Sequence, residues 1–303
     1  LGQFVFYNGP GGSGKTHGFL NQHYPFKALT FPTNELKASK QGKYNCYTHH
    51  NFFKLELKKH VECFGLADYK YRQLGEVLVD EITMRTKKEI DHMIAHAKEY
   101  GYRLIFAGDI DQATKIPYQL LPVKSTFDID LTDFQVINFT KNYRIKDPEL
   151  KARIDKVRDI MHEAMQTGNA NVDTEILQLF GDRLISEKQM YKDFDPKHDL
   201  IITGTNKKRS EYNKKLDAKH EKKIWRITHK VDKYEAGTIL YEDDLKVTTS
   251  CKQLCFATSI HKVQGKTWEE GKLYINPKDV FELGHLYTAL SRVRHLEQIE
   301  IIH

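Results

Sequence analysis

Two α/β domains in tandem, each built on a parallel β-sheet, are the fold that the sequence predicts, and three observations carry the prediction. Short runs that are apolar on both faces alternate with stretches of helical spacing, which is the signature of a parallel sheet covered on both sides. The pattern breaks near residue 147 and then begins again. The length of 303 residues also exceeds the usual span of one domain, so two cores of about 150 residues each are expected.

The first set opens directly on a strand, Gln3 to Tyr7, an abruptness that suggests a longer polypeptide upstream of Leu1. Apolar runs follow at Lys27 to Phe31, Glu76 to Val79, Arg103 to Ala107 and Phe134 to Phe139, with a helix over Lys87 to Tyr100. A small insertion is expected at about 43–75, inside an N-terminal domain of residues 1–147. A long charged helix over Pro148 to Gln166 then opens the second domain, 148–303, with Ile154, Val157, Ile160 and Met161 as its apolar stripe. Further strands are expected at Asp199 to Thr203, Leu254 to Thr258, Lys272 to Ile275 and Ile299 to Ile302. Between the first two of these lies a segment of about 222–252, rich in Thr, Tyr and Val and broken at Glu235 to Gly237, which is expected to form a small β-rich insertion.

Composition narrows the class. An apolar share of 40%, with 29% charged residues and only 18 Gly and 8 Pro, excludes a disordered or fibrous chain. No window reaches the roughly 18 uninterrupted apolar residues of a membrane helix, so no membrane partner is expected. The net charge of +6 is uneven: residues 206–230 hold ten Lys and Arg against three Asp and Glu, which is +7 and leaves about −1 elsewhere. Such a stripe suits a polyanion, and equally a solvated helix face. Cys46, Cys63, Cys251 and Cys255 lack paired CxxC spacing, and read as reduced thiols of an intracellular protein rather than as a zinc site.

The strongest local signal is Gly9-Pro10-Gly11-Gly12-Ser13-Gly14-Lys15-Thr16, a complete G-x-x-x-x-G-K-[ST] after a strand and before a helix. In such a P-loop the glycines turn backbone N–H groups toward phosphate oxygens, Lys15 reaches the β and γ phosphates and the Thr16 hydroxyl binds Mg²⁺. A carboxylate at the end of a neighbouring strand is the next requirement, and Val77-Leu78-Val79-Asp80-Glu81 supplies two. Asp80 would hold Mg²⁺, and Glu81 would orient and deprotonate an attacking water, which argues for hydrolysis rather than transfer to a bound small molecule. A third strand ends in Gly108-Asp109-Ile110-Asp111-Gln112, where Gln112 can sense the γ-phosphate. A fourth ends in Thr140-Lys141-Asn142-Tyr143-Arg144, where Tyr143 could stack on the base and Arg144 could reach the phosphate.

These elements, in this order, resemble a superfamily 1 helicase, and the second half agrees. Ala257-Thr258-Ser259-Ile260-His261-Lys262-Val263-Gln264-Gly265-Lys266-Thr267 resembles helicase motif V, and Tyr287-Thr288-Ala289-Leu290-Ser291-Arg292-Val293-Arg294 resembles motif VI. The wording is closest to the Pif/RecD-like branch, as are Asp80-Glu81-Ile82-Thr83-Met84 and Ile201-Ile202-Thr203-Gly204-Thr205-Asn206. The likeness spans Gly9 to Arg294. It departs in three respects: eight residues before Gly9 leave no room for the adenine-contacting Gln motif, the insertions are short for a family with a built-in strand-separating wedge, and Gln112 is followed by Ala113-Thr114-Lys115-Ile116-Pro117 where the branch has Leu-Pro-Pro.

The resemblance implies two RecA-like domains, ATP and Mg²⁺ as cofactors, and a 5′ to 3′ motor on single-stranded DNA, with accessory domains or replication and repair proteins as further partners. It gives Arg292 the role of a second-domain arginine at the phosphate and places Gly265 beside the nucleotide. For nucleic acid it points to Phe31, Pro32, Thr33 and Asn34 and to His49 and His50, in loops at strand ends opposite the nucleotide, and in the second domain to Asn206, Lys207, His261 and Lys262. Phe52, beside Phe53, reads instead as core. An RNA helicase domain of a viral replicase is the nearest alternative, and a P-loop kinase or nucleotide-switch module is the alternative of another class.

Overall fold

The computed structural model describes residues 2–22, 26–38, 45–55, 71, 73–112, 130–167, 172–221, 223–228, 231, 234, 238–241, 252–277 and 283–303. The chain forms two compact units. The first runs to Ile110 and includes the stretch ending at Tyr143; the second takes Arg144–His303 together with Asp111 and Gln112. The chain therefore changes unit between Tyr143 and Arg144, four residues before the expected boundary.

The first unit is built on β1 (Phe4–Asn8), β2 (Lys27–Phe31), β3 (Cys46–Thr48), β4 (Glu76–Val79), β5 (Arg103–Gly108) and β6 (Gln135–Asn138). They form one sheet in the order β3-β2-β4-β5-β1-β6, and every pairing is parallel. Side chains alternate across it. Phe4, Phe6, Val77, Val79, Leu104 and Phe106 enter a core with Ile90, Met93 and Ala97 of α4 (Lys87–Tyr100). Val5, Tyr7, Leu29, Phe31, Leu78 and Ile105 enter the core on the other face with Phe19 of α1 (Lys15–Leu20) and Leu36 of α2 (Asn34–Ala38). The limits of α4 are those the sequence predicts because local chemistry sets both ends: Thr86 and Glu89 close a capping box, and Gly101 ends the helix at φ 76.

Two expectations for this unit are corrected. The segment 43–75 is not wholly an insertion, because Cys46–Thr48 pairs with β2 as the sheet's edge strand and leads into α3 (His49–Phe53). At three residues, β3 is too short to show a strand period; the rest of that segment, at 56–70 and 72, lies outside the described residues. The Asp80 strand is also not the neighbour of the P-loop strand, since β5 lies between β1 and β4.

The second unit carries β7 (Leu184–Ile185), β8 (Leu200–Thr203), β12 (Ala257–Ser259), β13 (Leu273–Ile275) and β14 (Ile299–Ile302) in a parallel sheet of order β12-β8-β13-β14-β7. Its main core joins Leu200, Ile202, Leu273, Ile275, Ile299 and Ile301 to Ile154, Val157 and Met161 of the long helix α5 (Pro148–Thr167), with Ile160 half-buried at the margin. The chain then continues through α6 (Val172–Leu179), α7 (Glu187–Asp193) and α8 (Asn206–Asp217), with α9 (Ile260–Val263) and α10 (Leu283–Leu290) further on.

A separate antiparallel sheet, β10-β9-β11, is made by β9 (Ile224–Ile227), β10 (Ile239–Tyr241) and β11 (Lys252–Leu254). It occupies the segment expected to be β-rich, while 235–237 lie outside the described residues. The strand expected over Leu254 to Thr258 is two strands of different sheets. Cys255 N still donates to Ile224 O (3.0 Å), whereas Phe256 O already accepts from Ile201 N (3.0 Å), so pairing changes hands at this corner. An apolar run does not reveal such a change of partner.

Phe52 sits among Phe53, Tyr47 and Tyr71 at ring-centroid distances of 4.8, 5.4 and 5.2 Å. Phe52→Ala should destabilise the first unit by about 3–5 kcal/mol, read as a lower denaturant midpoint. Phe26→Ala, at an exposed position, should change it by less than about 0.5 kcal/mol.

Candidate functional site

The loop after β1 is held by backbone constraints that explain its glycines. A Cβ on Gly9 would lie 2.3 Å from the Phe139 carbonyl oxygen, and Gly12 and Gly14 take φ 83 and 87, where other residues are strained. The loop folds on itself through Ser13 N to Pro10 O at 3.1 Å. Lys15, buried at the start of α1, donates from Nζ to the carbonyls of Gly9 (2.6 Å) and Pro10 (3.0 Å).

Asp80 comes directly after β4 on the same sheet edge. Thr16 Oγ1 donates to Asp80 Oδ2 at 3.0 Å, and Asp80 Oδ1 accepts from the Glu81 N–H at 3.0 Å. A hydroxyl and a carboxylate already in contact are hard oxygen donors of the kind that hold Mg²⁺ together with phosphate and water, so the residues present fit that ion. Glu81 takes φ 53 and ψ 46, a left-handed backbone rare outside glycine and characteristic of strained functional positions. Tyr143 N donates to Gly12 O (2.9 Å), its ring lies 3.6 Å from the Cβ position of Gly14, and the residue is 62% exposed. The first unit thus brings Gly9 to Thr16, Asp80, Glu81 and Tyr143 together.

The same edge carries the loops assigned to nucleic acid, and their expected position is corrected. In a parallel sheet every strand delivers its C-terminal loop to one edge, so Phe31–Asn34 after β2 and His49–His50 after β3 lie on the P-loop edge, displaced along it rather than opposite. Phe31, Pro32 and His49 are buried, Thr33 and His50 half-buried and Asn34 exposed. His49 and Phe31 are therefore core positions. His49 is fully buried, with its Nδ1 accepting from Arg85 Nε at 2.9 Å; burial and the nearby Arg85 charge hold its imidazole well below the usual range, hence neutral. Arg85 is the residue that motif reasoning misses: it matches no pattern, and only its burial at the end of the 3-10 turn Ile82–Met84 reveals it.

In the second unit, two candidate arginines converge on one residue. Arg144 Nη1 donates to Ser291 O (3.1 Å) and Arg292 Nη2 to Ser291 Oγ (2.7 Å). Arg292 is 1% exposed, with Nε donating to Thr288 O at 2.7 Å, so it does not stand free as a surface finger. Gln112 is 2% exposed, beside Asp111, whose carboxylate takes Arg158 (2.6 Å) and His162 (2.6 Å) from α5. Gly265 turns the chain at φ 77 after α9. His261 packs perpendicular to His285 at 5.2 Å between centroids, and no cluster of metal-ligating side chains occurs among the described residues.

Lys262, Lys266, Arg226 and Arg292 line a cavity of about 190 Å³ beneath the antiparallel sheet. Burial lowers both lysines to about 8, with the Arg226 charge adding to it. Asn206 and Lys207 are exposed at the start of α8, which Thr205 caps by accepting from Lys208 N at 3.2 Å. The basic stripe is partly neutralised: Lys208, Lys215 and Lys223 meet Glu211, Glu187 and Asp217 at 3.1, 3.2 and 3.0 Å. No helix among the described residues is long and apolar enough to cross a membrane.

No family model and no curated relative matches the chain. Solved structures do. Pif1 of Bacteroides bound to single-stranded DNA superposes with a TM-score of 0.68 at 17% identity, over 98% of this chain and 88% of that one. The Bacteroides Pif1 helicase in complex with ADP-AlF3 and single-stranded DNA gives 0.67 at 16%, over 98% and 88%. The chain has the fold of Pif1 helicases. The Pif1 helicase of Candida albicans agrees, with a TM-score of 0.65 at 16% identity over 99% of this chain and 91% of its own. The Pif1 likeness establishes the tandem parallel-sheet architecture that the motifs anticipate.

The lysine pair generates a pH signature. Lys262 and Lys266 lose their protons near 8 in the folded chain against an ordinary 10.5, so between these values the unfolded state binds more protons and the pair raises stability as pH rises. Cys255, pushed up by burial, opposes this above its ordinary range. Thermal midpoints from pH 7.5 to 9.5 should therefore rise less in Lys266→Met than in the parent chain; parallel curves would remove the lysine from the account.

Proposed function

We propose that the protein is an ATP-driven helicase or translocase on single-stranded nucleic acid, with DNA as the preferred track and movement 5′ to 3′. The observation that carries the reading is the Lys15, Thr16 and Asp80 constellation in a chain whose two sheets superpose on proteins solved with a nucleotide analogue and single-stranded DNA. A P-loop kinase or switch module accounts for the first unit but gives the second, with Arg144 and Arg292 on Ser291, no task.

In this reading the Gly9–Gly14 amides cradle the ATP phosphates, and Lys15 exchanges the Gly9 and Pro10 carbonyls for phosphate oxygens. Mg²⁺, held by Thr16 and Asp80, would neutralise charge on the β and γ phosphates. Glu81 takes the proton of the attacking water, Tyr143 offers its exposed ring to the base, and Gln112 registers the γ-phosphate. Arg292, with Arg144 beside it, supplies positive charge from the second unit during turnover. Loss of the γ-phosphate then releases the two units to alternate their hold on the strand. Phosphates of that strand would be met by Asn34 and His50 in the first unit and by Asn206, Lys207, His261 and Lys262 in the second.

Steady-state ATP hydrolysis with and without single-stranded DNA or RNA tests the reading, with Lys15→Ala as the blank. Strong stimulation by DNA is expected; stimulation by RNA alone would move the track to RNA, and Lys15-dependent turnover indifferent to both would remove the motor. Arg292→Ala should lower stimulated turnover by about 10³ to 10⁵ while nucleotide affinity changes little, and unchanged turnover would strip Arg292 of its role.

A further inference from the structure

One buried cation of the first unit, to which the proposed function gives no part in binding phosphate, ties the turn after Asp80 and Glu81 to the loop after β2, the start of α3 and α4. Arg85 lies five residues beyond Asp80, fixed by its own N–H to Ile82 O at 2.9 Å. Its guanidinium reaches three other segments. Nη2 donates to Pro32 O (3.1 Å) in the loop after β2, Nε to His49 Nδ1 (2.9 Å) at the start of α3, and Nη1 lies 3.2 Å from His50 Nε2 and 3.3 Å from Glu89 Oε1 on α4. A planar fork with five donors can hold such a set of acceptors at once; an ammonium cannot.

The contact with His49 continues toward the nucleotide. Because Arg85 Nε can only donate, His49 Nδ1 must accept, which places the ring proton on Nε2. Its Nε2 is buried without a hydrogen-bond partner among the described residues, and the Thr30 and Asp80 carbonyls favour the protonated ring, though burial outweighs them. The Thr30 carbonyl also accepts the Asp80 N–H at 2.9 Å. From Pro32 and His50, then, polar contacts pass through Arg85 to His49, whose buried ring feels the Thr30 and Asp80 carbonyls, while the turn closed by Arg85 N to Ile82 O follows directly on Asp80 and Glu81. Glu81, left-handed at φ 53, is the strained link between Asp80 and the turn that carries Arg85. A strained residue with a second allowed backbone region is the kind of element that can exist in two arrangements.

We propose that Arg85 and His49 are positioning residues that couple nucleic-acid occupancy of the Pro32–Asn34 and His50 loops to the Asp80–Glu81 centre, so that track binding accelerates hydrolysis through this buried pair. The inference rests on the function proposed for the protein as a whole. A strand that displaces Pro32 or His50 shifts the guanidinium, and the guanidinium carries His49 and the Ile82–Met84 turn with it. Hydrolysis without a track does not need the relay.

The test compares the parent chain with Arg85→Met and Arg85→Lys, measuring basal ATP hydrolysis, hydrolysis at saturating oligo-dT, oligo-dT affinity by fluorescence anisotropy, and folding by circular dichroism. Arg85→Met should keep the basal rate and oligo-dT binding while losing about tenfold in stimulation, within the range of coupling between sites. Arg85→Lys should recover part of it, because the charge remains and the fork does not. If Arg85→Met does not fold, Arg85→Lys decides alone, with reduced stimulation at an unchanged basal rate expected. Full stimulation in a folded variant overturns the relay, and so does an equal fall in basal and stimulated rates, which would make Arg85 structural only. A parent chain that no nucleic acid stimulates fails at the level of the function itself, before Arg85 is considered.

Discussion

Parallel pairing is the constraint on which the rest of the first unit depends. Because β1 to β6 all run the same way, their C-terminal loops collect on one edge, and a sheet buried on both faces leaves that edge as the natural place for chemistry. Asp80 can touch Thr16 although β5 separates their strands. The loops after β2 and β3 share the edge as well, and buried polar contacts between them and Asp80 therefore need to span only two strands.

Strain and burial concentrate where this edge is most crowded. Gly9, Gly12 and Gly14 adopt backbones that side chains resist, and Glu81 does so without being glycine. Glycine takes such a conformation freely, but in a residue with a Cβ it costs about 1–3 kcal/mol and persists only where the surroundings over-determine it. Here the surroundings are the Asp80 carboxylate that caps the Glu81 N–H and the turn closed by Met84 N to Glu81 O at 3.1 Å. The strained residue is thus clamped at both ends by groups that themselves belong to the site.

Elements with a strong local code were legible in the sequence. The P-loop, the Asp80–Glu81 pair, α4 with its capping box and the stripe of α5 all announce themselves within a few residues, because each depends on nearby partners. The illegible remainder depends on partners distant in the chain. β3 is a strand only because β2 lies beside it, and the corner at Cys255–Phe256 exists only because Ile224 and Ile201 belong to different sheets. The burial of His49 is hidden for the same reason: a histidine after a strand reads as a loop ligand until Arg85, 36 residues away, is known to require its lone pair. Arg292 kept its place in the motif while its burial, set by Thr288 and Ser291, went unseen.

The partners of the cations separate structural from exchangeable charge more sharply than motif membership does. Arg103 holds the buried carboxylate of Glu76 at 2.9 Å, and Arg183 and Lys272 share Glu300 at 3.0 and 2.8 Å; losing Arg103 would leave the Glu76 charge poorly compensated, so that pair resists change. Lys15 instead donates to two backbone carbonyls, and Arg292 to a carbonyl and a hydroxyl. In those contacts a phosphate oxygen competes well, since it adds a charge–charge attraction that a neutral acceptor lacks. Lys262 and Lys266 lie at the other extreme, crowded by Arg226 until burial and repulsion lower both. An anion entering their cavity would relieve that repulsion. If the proposed function holds, the two units would meet phosphate by different physics, one with cations resting on neutral acceptors and the other with cations desolvated by burial and crowded by Arg226.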